Sequence, residues 1–448
     1  MELSKSLAGF IKGTDYHDLP QDVVEFTKLC ILDWLGSALA GKEKVPIKKI
    51  SDLVEEMGGN PQATTVNGKI TSVAQAAFVN GASSHVVELD DIHKASIIHA
   101  ATVVIPAALA VSEWKEKNGK DLITAVVVGY EVCYRIGEAV SPSHYYYWHN
   151  TATCGTFGAA AAVAKLLDLE VGQIVHALGS AGTQAAGLWE FIEDGAMSKQ
   201  LHPGKAAYNG TISALLAQKD FTSAKKILEG DRGFFKAMSD CYDSKKITHR
   251  LGEVFKITEN SFKVHASCRH THAAVDMVLE MLNEHGLHED IVSNIQIRTY
   301  KTALDITDNL NPDTVYTSKF SIQFCVALAL LRGKVALSDF DERSLHDQEI
   351  REVMKHINVS IEPVIESQYP EKWGAEVEFS LIDGKSIKKR TEYPKGDPEN
   401  PVTEEDLIIK FKDLAYPSLK DQTQRVIDYL LRLDEVQQLE VFKHLETV

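Results

Sequence analysis

From Leu19 to Gly41 the apolar residues Val23, Val24, Phe26, Leu29, Cys30, Leu32 and Leu35 recur at the spacing of one helix face. Asp18 and Pro20 suit the start of that helix and Gly41 its stop, so a buried amphipathic helix is expected there. Helical patterning dominates up to about residue 240. Ala100 to Trp114 and Cys154 to Leu167 are rich in Ala, Val and Leu but are interrupted by Pro106 and Lys165. Their small side chains suit close packing in a central helical bundle, and they are too short and too interrupted to span a bilayer.

After about residue 285 the texture changes. Ser293 to Thr299 (SNIQIRT) and His356 to Glu362 (HINVSIE) alternate with the period of a strand. Two further strand-like runs flank Asp383-Gly384, the strongest hairpin signal in the chain. Tyr393 to Pro401 is a turn by composition, Thr403 with Asp406 reads as a capping box, and helical pattern then continues to Val448. The expected fold is mainly α: a large all-helical domain built from both chain ends, residues 1–267 and 398–448, with a smaller inserted α+β domain at 268–397. Closure of that insertion would cover a cleft as a lid.

A chain of 448 residues suffices for two or three folding units, and 44% hydrophobic with 25% charged residues is an ordinary globular composition. Lys and Arg number 47 against 63 Asp and Glu, a formal charge of -16. Such a surface repels phosphate backbones, so no nucleic-acid partner is expected, and an anionic substrate would need a local cluster of cations. The six cysteines lie far apart with no CxxC pair, which argues against disulfides and against a cysteine-held cluster. The opening MELSKSLAGFIKGTDYHDLP lacks the apolar core of a signal peptide, and no run approaches about 20 apolar residues. A cytoplasmic protein that does not enter membranes is expected.

Five segments hold the candidate chemistry. Asn80 to Glu113 packs Glu88, Asp90, Asp91, His93 and His99 ahead of an apolar helix, a grouping that suits general acid–base work, a divalent metal, or simply a solvated loop. His149 precedes the small-residue helix, either facing an anion at its N-terminus or capping it beneath an aromatic patch. Lys199, in a glycine-containing stretch expected to turn, is a candidate cation for a carboxylate and is preferred over Lys205. Ser261 to His272 carries three histidines and a cysteine at spacings that match no standard zinc finger, and Lys263 and Arg269 there fit an anion site better. In Ser318 to Gly333 only the polar opening, Lys319 and Ser321, is expected to face a ligand, and Phe324 reads as core.

The stretches LDWLGSALAG, ELDDIHKASIIH, GYEVCYRIG, HNTATCGTFGAAAAVAKLL, GAMSKQLHPGKAA, KVHASCRHTHAAVD, KFSIQFCVALALLRG and PKGDPENP, in that order, resemble the MmgE/PrpD family of lyases and epimerases. The resemblance implies a helical domain with an inserted lid, a pocket between them, a homodimer, and no metal or organic cofactor. It assigns the acidic segment to Glu88, Asp90 and Asp91, pocket histidines to His99 and His149, and pocket lysines to Lys199 and Lys263. Two departures stand out: many relatives carry Asp where this chain has Glu88, and decarboxylases of the family carry a pocket tyrosine where it has Phe324. The implied activity is a cofactor-independent lyase on a small di- or tricarboxylate through an enolate-like intermediate, with 2-methylcitrate dehydratase-like chemistry placed first. Cis-aconitate decarboxylation to itaconate, epimerisation of a dicarboxylate such as iminodisuccinate, and a catalytically silent helical scaffold are the alternatives. His99, His149, Asp91 and Glu88 are the expected catalytic groups, and Lys199, Lys263, His93, Arg269, Lys319 and Ser321 the expected substrate contacts.

Overall fold

The computed structural model describes residues 2–286 and 291–439. The helical pattern expected over 440–448 lies outside the described residues. The fold is mainly α. It divides into two compact units, the first comprising Met1–Val86, Asp90–Asn260 and Thr403–Val448, the second Val87–Leu89 and Ser261–Val402.

The first unit is a helical bundle. Its principal helices are α1 (Leu3–Gly13), α2 (Gln21–Gly41), α3 (Val73–His85), α4 (Ala101–Trp114), α5 (Gly119–Val140), α6 (Asn150–Leu166) and α7 (Ser198–Ala217). In α2 the predicted apolar face is buried at Val23, Val24, Cys30, Leu32 and Leu35, with Phe26 and Leu29 half-buried, and Trp34 is fully inaccessible. Gly41 is the last residue of the helix, as expected. It is small because a Cβ there would lie on the Ser83 carbonyl of α3. The same logic explains the glycines of α5 and α6. A Cβ on Gly129 would stand 2.9 Å from the Gly158 carbonyl oxygen, and one on Gly158 2.8 Å from the Gly129 carbonyl oxygen. The two helices therefore cross in backbone contact, at a spacing that side chains would forbid.

The stretch around Lys199 is a helix, α7, and not a glycine-rich turn. Gly204 and Gly210 serve packing: a Cβ on the first would lie 2.6 Å from the Phe78 carbonyl oxygen, and on the second 2.4 Å from the Ala159 Cβ. Pro203, inside the helix, cannot donate to the Lys199 carbonyl one turn earlier. The helices after the second unit, α10 (Glu404–Leu419) and α11 (Thr423–Leu431), belong to the first unit. A capping box opens α10: Thr403 Oγ1 accepts from Asp406 N at 3.1 Å and Asp406 Oδ2 from Thr403 N at 2.9 Å.

The second unit combines α8 (Arg269–His285) and α9 (Ile322–Arg332) with a four-stranded sheet of β1 (Val292–Thr299), β2 (Ile357–Ile361), β3 (Ala375–Leu381) and β4 (Ser386–Thr391), in the order β2-β1-β3-β4. β1 and β2 run parallel, while β3 is antiparallel to both β1 and β4. The β3–β4 hairpin turns at Asp383-Gly384, where Gly384 adopts φ 86°. Among the described residues no helix is long and apolar enough to cross a membrane. All six cysteines are unpaired thiols, and only Cys241 is exposed.

Candidate functional site

In the first unit the loop from α3 to α4 gathers the acidic and imidazole groups. His85 is the last residue of α3, and its Nδ1 lies 2.7 Å from Asp90 Oδ2. His99 Nδ1 lies 3.1 Å from that same oxygen and 2.5 Å from the Asp91 carbonyl oxygen. Both carboxylates are fully buried. Burial pushes Asp90 up, but the electrostatic attraction and hydrogen bonds of the His85 and His99 imidazoles outweigh it and hold the carboxyl well below its usual range.

Asp91 behaves differently. Its Oδ1 accepts from Ala101 N at 3.1 Å, and its Oδ2 from Tyr130 Oη at 2.8 Å and Asn260 Nδ2 at 2.7 Å. Burial, with help from the Asp90 charge, pushes Asp91 up to about 7 against those three donors. Tyr134 Oη in turn donates to Asn260 Oδ1 at 2.7 Å. The loop is bent through Ile97, at φ 55°, a left-handed conformation that a β-branched residue rarely adopts.

His149 stands at the N-cap of α6, but its side chain makes no capping bond. Its ring stacks on His85 at 5.5 Å and meets Trp189 edge-on at 5.1 Å, and its Nδ1 is 3.1 Å from Nδ1 of His202 on α7. Gly187 accepts from His149 N at 2.9 Å while holding φ 141°. A Cβ there would lie 2.6 Å from the Ala152 Cβ, so glycine is required. Burial, then the neighbouring His202, His85, Lys199 and His99, hold His149 well below the usual imidazole range. Burial, with His85 and Lys199, brings His202 to about 4. Both rings are therefore neutral at pH 7. Lys199 is buried in the first turn of α7 and contributes to both depressions.

His93 is engaged elsewhere in this unit. It stacks on Tyr134 at 4.2 Å, and its Nδ1 is 2.8 Å from Ser96 Oγ. Its Nε2 faces Glu259 Oε2 at 3.4 Å and Glu138 Oε1 at 3.8 Å. Lys256 Nζ bridges those carboxylates at 2.9 Å from Glu138 and 3.0 Å from Glu259. Two groups of ligand-type side chains thus exist among the described residues, His85–Asp90–His99 and His93–Glu138–Glu259. In the second, the Lys256 ammonium supplies the cation. In the first, His99 Nδ1 faces a carbonyl oxygen, which can only accept, so that nitrogen carries hydrogen and is not a ligand atom.

In the second unit Glu88 holds φ 59°. Lys263 Nζ lies 3.4 Å from its Oε2 and 3.2 Å from its carbonyl oxygen, and Tyr316 Oη donates to its Oε1 at 3.0 Å. Lys319 Nζ donates to the Val87 carbonyl at 2.7 Å and sits 5.0 Å over the Phe340 ring. Arg269 and Ser321 serve the fold: Arg269 clamps the PKGDPENP turn through Asp397 and the Pro394 and Lys395 carbonyls, and Ser321 caps α9 by accepting from Phe324 N at 3.0 Å. Phe324 is fully buried in α9.

Of the residues singled out from sequence, His99, His149, Lys199 and Asp91 gather in the first unit, and Glu88, Lys263 and Lys319 in the second. His85 and His202 were not singled out. His85 closes an apolar helix and reads as core, while His202 lies in a segment in which only the lysines attract attention.

The chain matches the MmgE/PrpD N-terminal domain over residues 5–246 and the MmgE/PrpD C-terminal domain over residues 265–435, and it belongs to that family. It is 29% identical over 450 residues to a cis-aconitate decarboxylase of Aspergillus terreus, covering 94% of this chain and 90% of that one. It is 25% identical over 464 residues to the cis-aconitate decarboxylase of Mus musculus, covering 99% and 93%. To the 2-methylcitrate dehydratase of Escherichia coli K12 it is 23% identical over 446 residues, covering 93% and 91%. These relatives are lyases, which supports an enzyme of this family.

Proposed function

We propose that this protein is a lyase acting on a small di- or tricarboxylate without a metal or organic cofactor, by way of an enolate-like intermediate. The observation that carries the reading is the buried group of His85, His99 and His149 around Asp90, in which His149 is neutral at pH 7. A neutral imidazole such as His149 takes a proton from carbon beside a carboxylate and returns it later; His149 and His99 are the proposed base and acid. Lys199 balances the negative charge that grows on the substrate, and Asp91 holds the loop that presents His99. In a dehydration the base takes the proton next to the carboxylate, the carbon–oxygen bond breaks, and the protonated imidazole delivers that proton to the departing hydroxyl as water. We place this 2-methylcitrate dehydratase-like reaction first, because two neutral imidazoles, His149 and His202, stand at the site.

The second reading is decarboxylation of cis-aconitate. The carbon–carbon bond breaks, carbon dioxide leaves, and the electron pair left on carbon takes a proton to give itaconate. It is favoured by the higher identity to cis-aconitate decarboxylases, 29% to that of Aspergillus terreus and 25% to that of Mus musculus, against 23% for the dehydratase. We further propose that the chain works as a homodimer. Incubating the pure protein with 2-methylcitrate, cis-aconitate and iminodisuccinate, and following products by NMR, separates dehydration, decarboxylation and epimerisation. Turnover of none of these acids would leave a binding scaffold as the better reading.

A further inference from the structure

We propose that Asp90 is a positioning residue that fixes two imidazoles, His85 and His99, in the same tautomer, each with hydrogen on Nδ1 and none on Nε2. The proton assignments follow from the acceptors. The Asp91 carbonyl oxygen, 2.5 Å from His99 Nδ1, can only accept, so His99 Nδ1 carries hydrogen whatever Asp90 does. Asp90 Oδ2, 2.7 Å from His85 Nδ1, belongs to an ionised carboxylate and also only accepts, so His85 Nδ1 carries hydrogen because of Asp90 alone. What remains on His85 is Nε2, fully buried and without a hydrogen-bond partner among the described residues, and in the proposed tautomer it is a lone pair. A buried, unpartnered acceptor costs stability unless something donates to it. Its ring stacks on His149 at 5.5 Å and meets His99 edge-on at 4.9 Å, so the lone pair belongs to the same imidazole group. The group thus has a further base beside His99 and His149, suited to the acidic hydrogen of a hydroxy acid or to the proton moved in the reaction. The catalytic use of this tautomer rests on the function proposed above; the tautomer itself does not.

The two imidazoles answer differently to loss of Asp90, and that difference is the test. Protein labelled with 15N-histidine is studied at neutral pH by long-range proton–nitrogen correlation, with single His→Gln replacements assigning the resonances. In the wild type, His85 and His99 both show hydrogen on Nδ1. In Asp90→Leu, His85 moves to the Nε2–H form, while His99, still facing the Asp91 carbonyl, keeps its hydrogen on Nδ1. Hydrogen on Nε2 of His85 in the wild type, or an unchanged His85 in Asp90→Leu, overturns the proposal; should the variant fail to fold, the wild-type spectrum decides alone. With a substrate in hand, Asp90→Leu is expected to lose about tenfold or more in kcat with KM little changed. The predicted spectrum in a protein that turns over none of the tested acids would uphold the tautomers and reject the proposed function. Turnover by a protein with the opposite tautomer would do the reverse.

Discussion

Replacing Tyr130 by Phe removes one hydrogen-bond donor from Asp91 and nothing else of comparable size. The hydroxyl lies 2.8 Å from Asp91 Oδ2 in a fully buried setting, so no water takes its place. The folded-state carboxyl titrates at about 7, above its ordinary value of 3.8. The folded protein therefore holds this proton more tightly than the unfolded chain does. The stability so gained is fully present below about pH 4 and is lost as pH rises through about 7. The Tyr130 hydrogen bond acts mainly on the ionised form. Below about pH 5 the carboxyl is protonated, and the variant should cost about 1 kcal/mol, as for a neutral hydrogen bond. Above about pH 9 it is ionised, and the cost should reach about 2–3 kcal/mol, as for a bond to a charge. Urea unfolding of both proteins across that range, followed by tryptophan fluorescence, gives the difference directly. A cost that is flat with pH, or larger on the acid side, would falsify the assignment of Asp91 as a buried carboxyl kept ionisable by its donors.

Three further outcomes are expected. Lys263→Ala leaves the buried Glu88 carboxylate without its ammonium and should lower stability by about 3–5 kcal/mol as well as weakening substrate use, measured as unfolding midpoint and KM; an unchanged midpoint would show that the pair contributes nothing to the fold. Gly187→Ala forces a Cβ to 2.6 Å from Ala152 at φ 141°, so it should shift His149 and depress kcat at least tenfold, and wild-type kinetics would refute this. Phe324→Tyr places a hydroxyl in a fully buried helix face, with an expected loss of about 1–3 kcal/mol and no gain in itaconate formation; a gain would show that the ring faces the substrate.

Helices with strong apolar periodicity were legible from sequence, as were the Asp383-Gly384 hairpin and the Thr403 capping box, because each rests on local chemistry. The stretch at Lys199 was not. Its glycines and proline suggest a turn, yet the glycines are there for close contact with Phe78 and Ala159, which no local pattern reports. The same limit applies to the site. Carboxylates and histidines crowded into residues 88–99 draw attention, whereas His85 and His202 acquire meaning only where α3, α6 and α7 meet. Arg269 and Ser321 look like ligand contacts in sequence because they are polar, but their partners are the chain's own carbonyls and amide.

His93 has a place in this loop apart from any contact with substrate. The turn that aims His99 holds Ile97 at φ 55°, a strain of about 1–3 kcal/mol that the surroundings must offset. The backbone of His93 closes this turn: its N donates to the Ile98 carbonyl at 2.9 Å and its carbonyl accepts from Ile97 N at 2.8 Å. Its ring is fixed in turn by Tyr134, Ser96 and the Glu138–Glu259–Lys256 network. His93→Ala removes that anchor while leaving the two carboxylates paired with Lys256. A residue that binds substrate would, when removed, raise KM and leave kcat and the melting temperature alone. An anchor would lower the melting temperature and kcat together, since the imidazole of His99 loses its aim. The second result is expected, and a raised KM at unchanged melting temperature would return His93 to the substrate contacts where its sequence placed it.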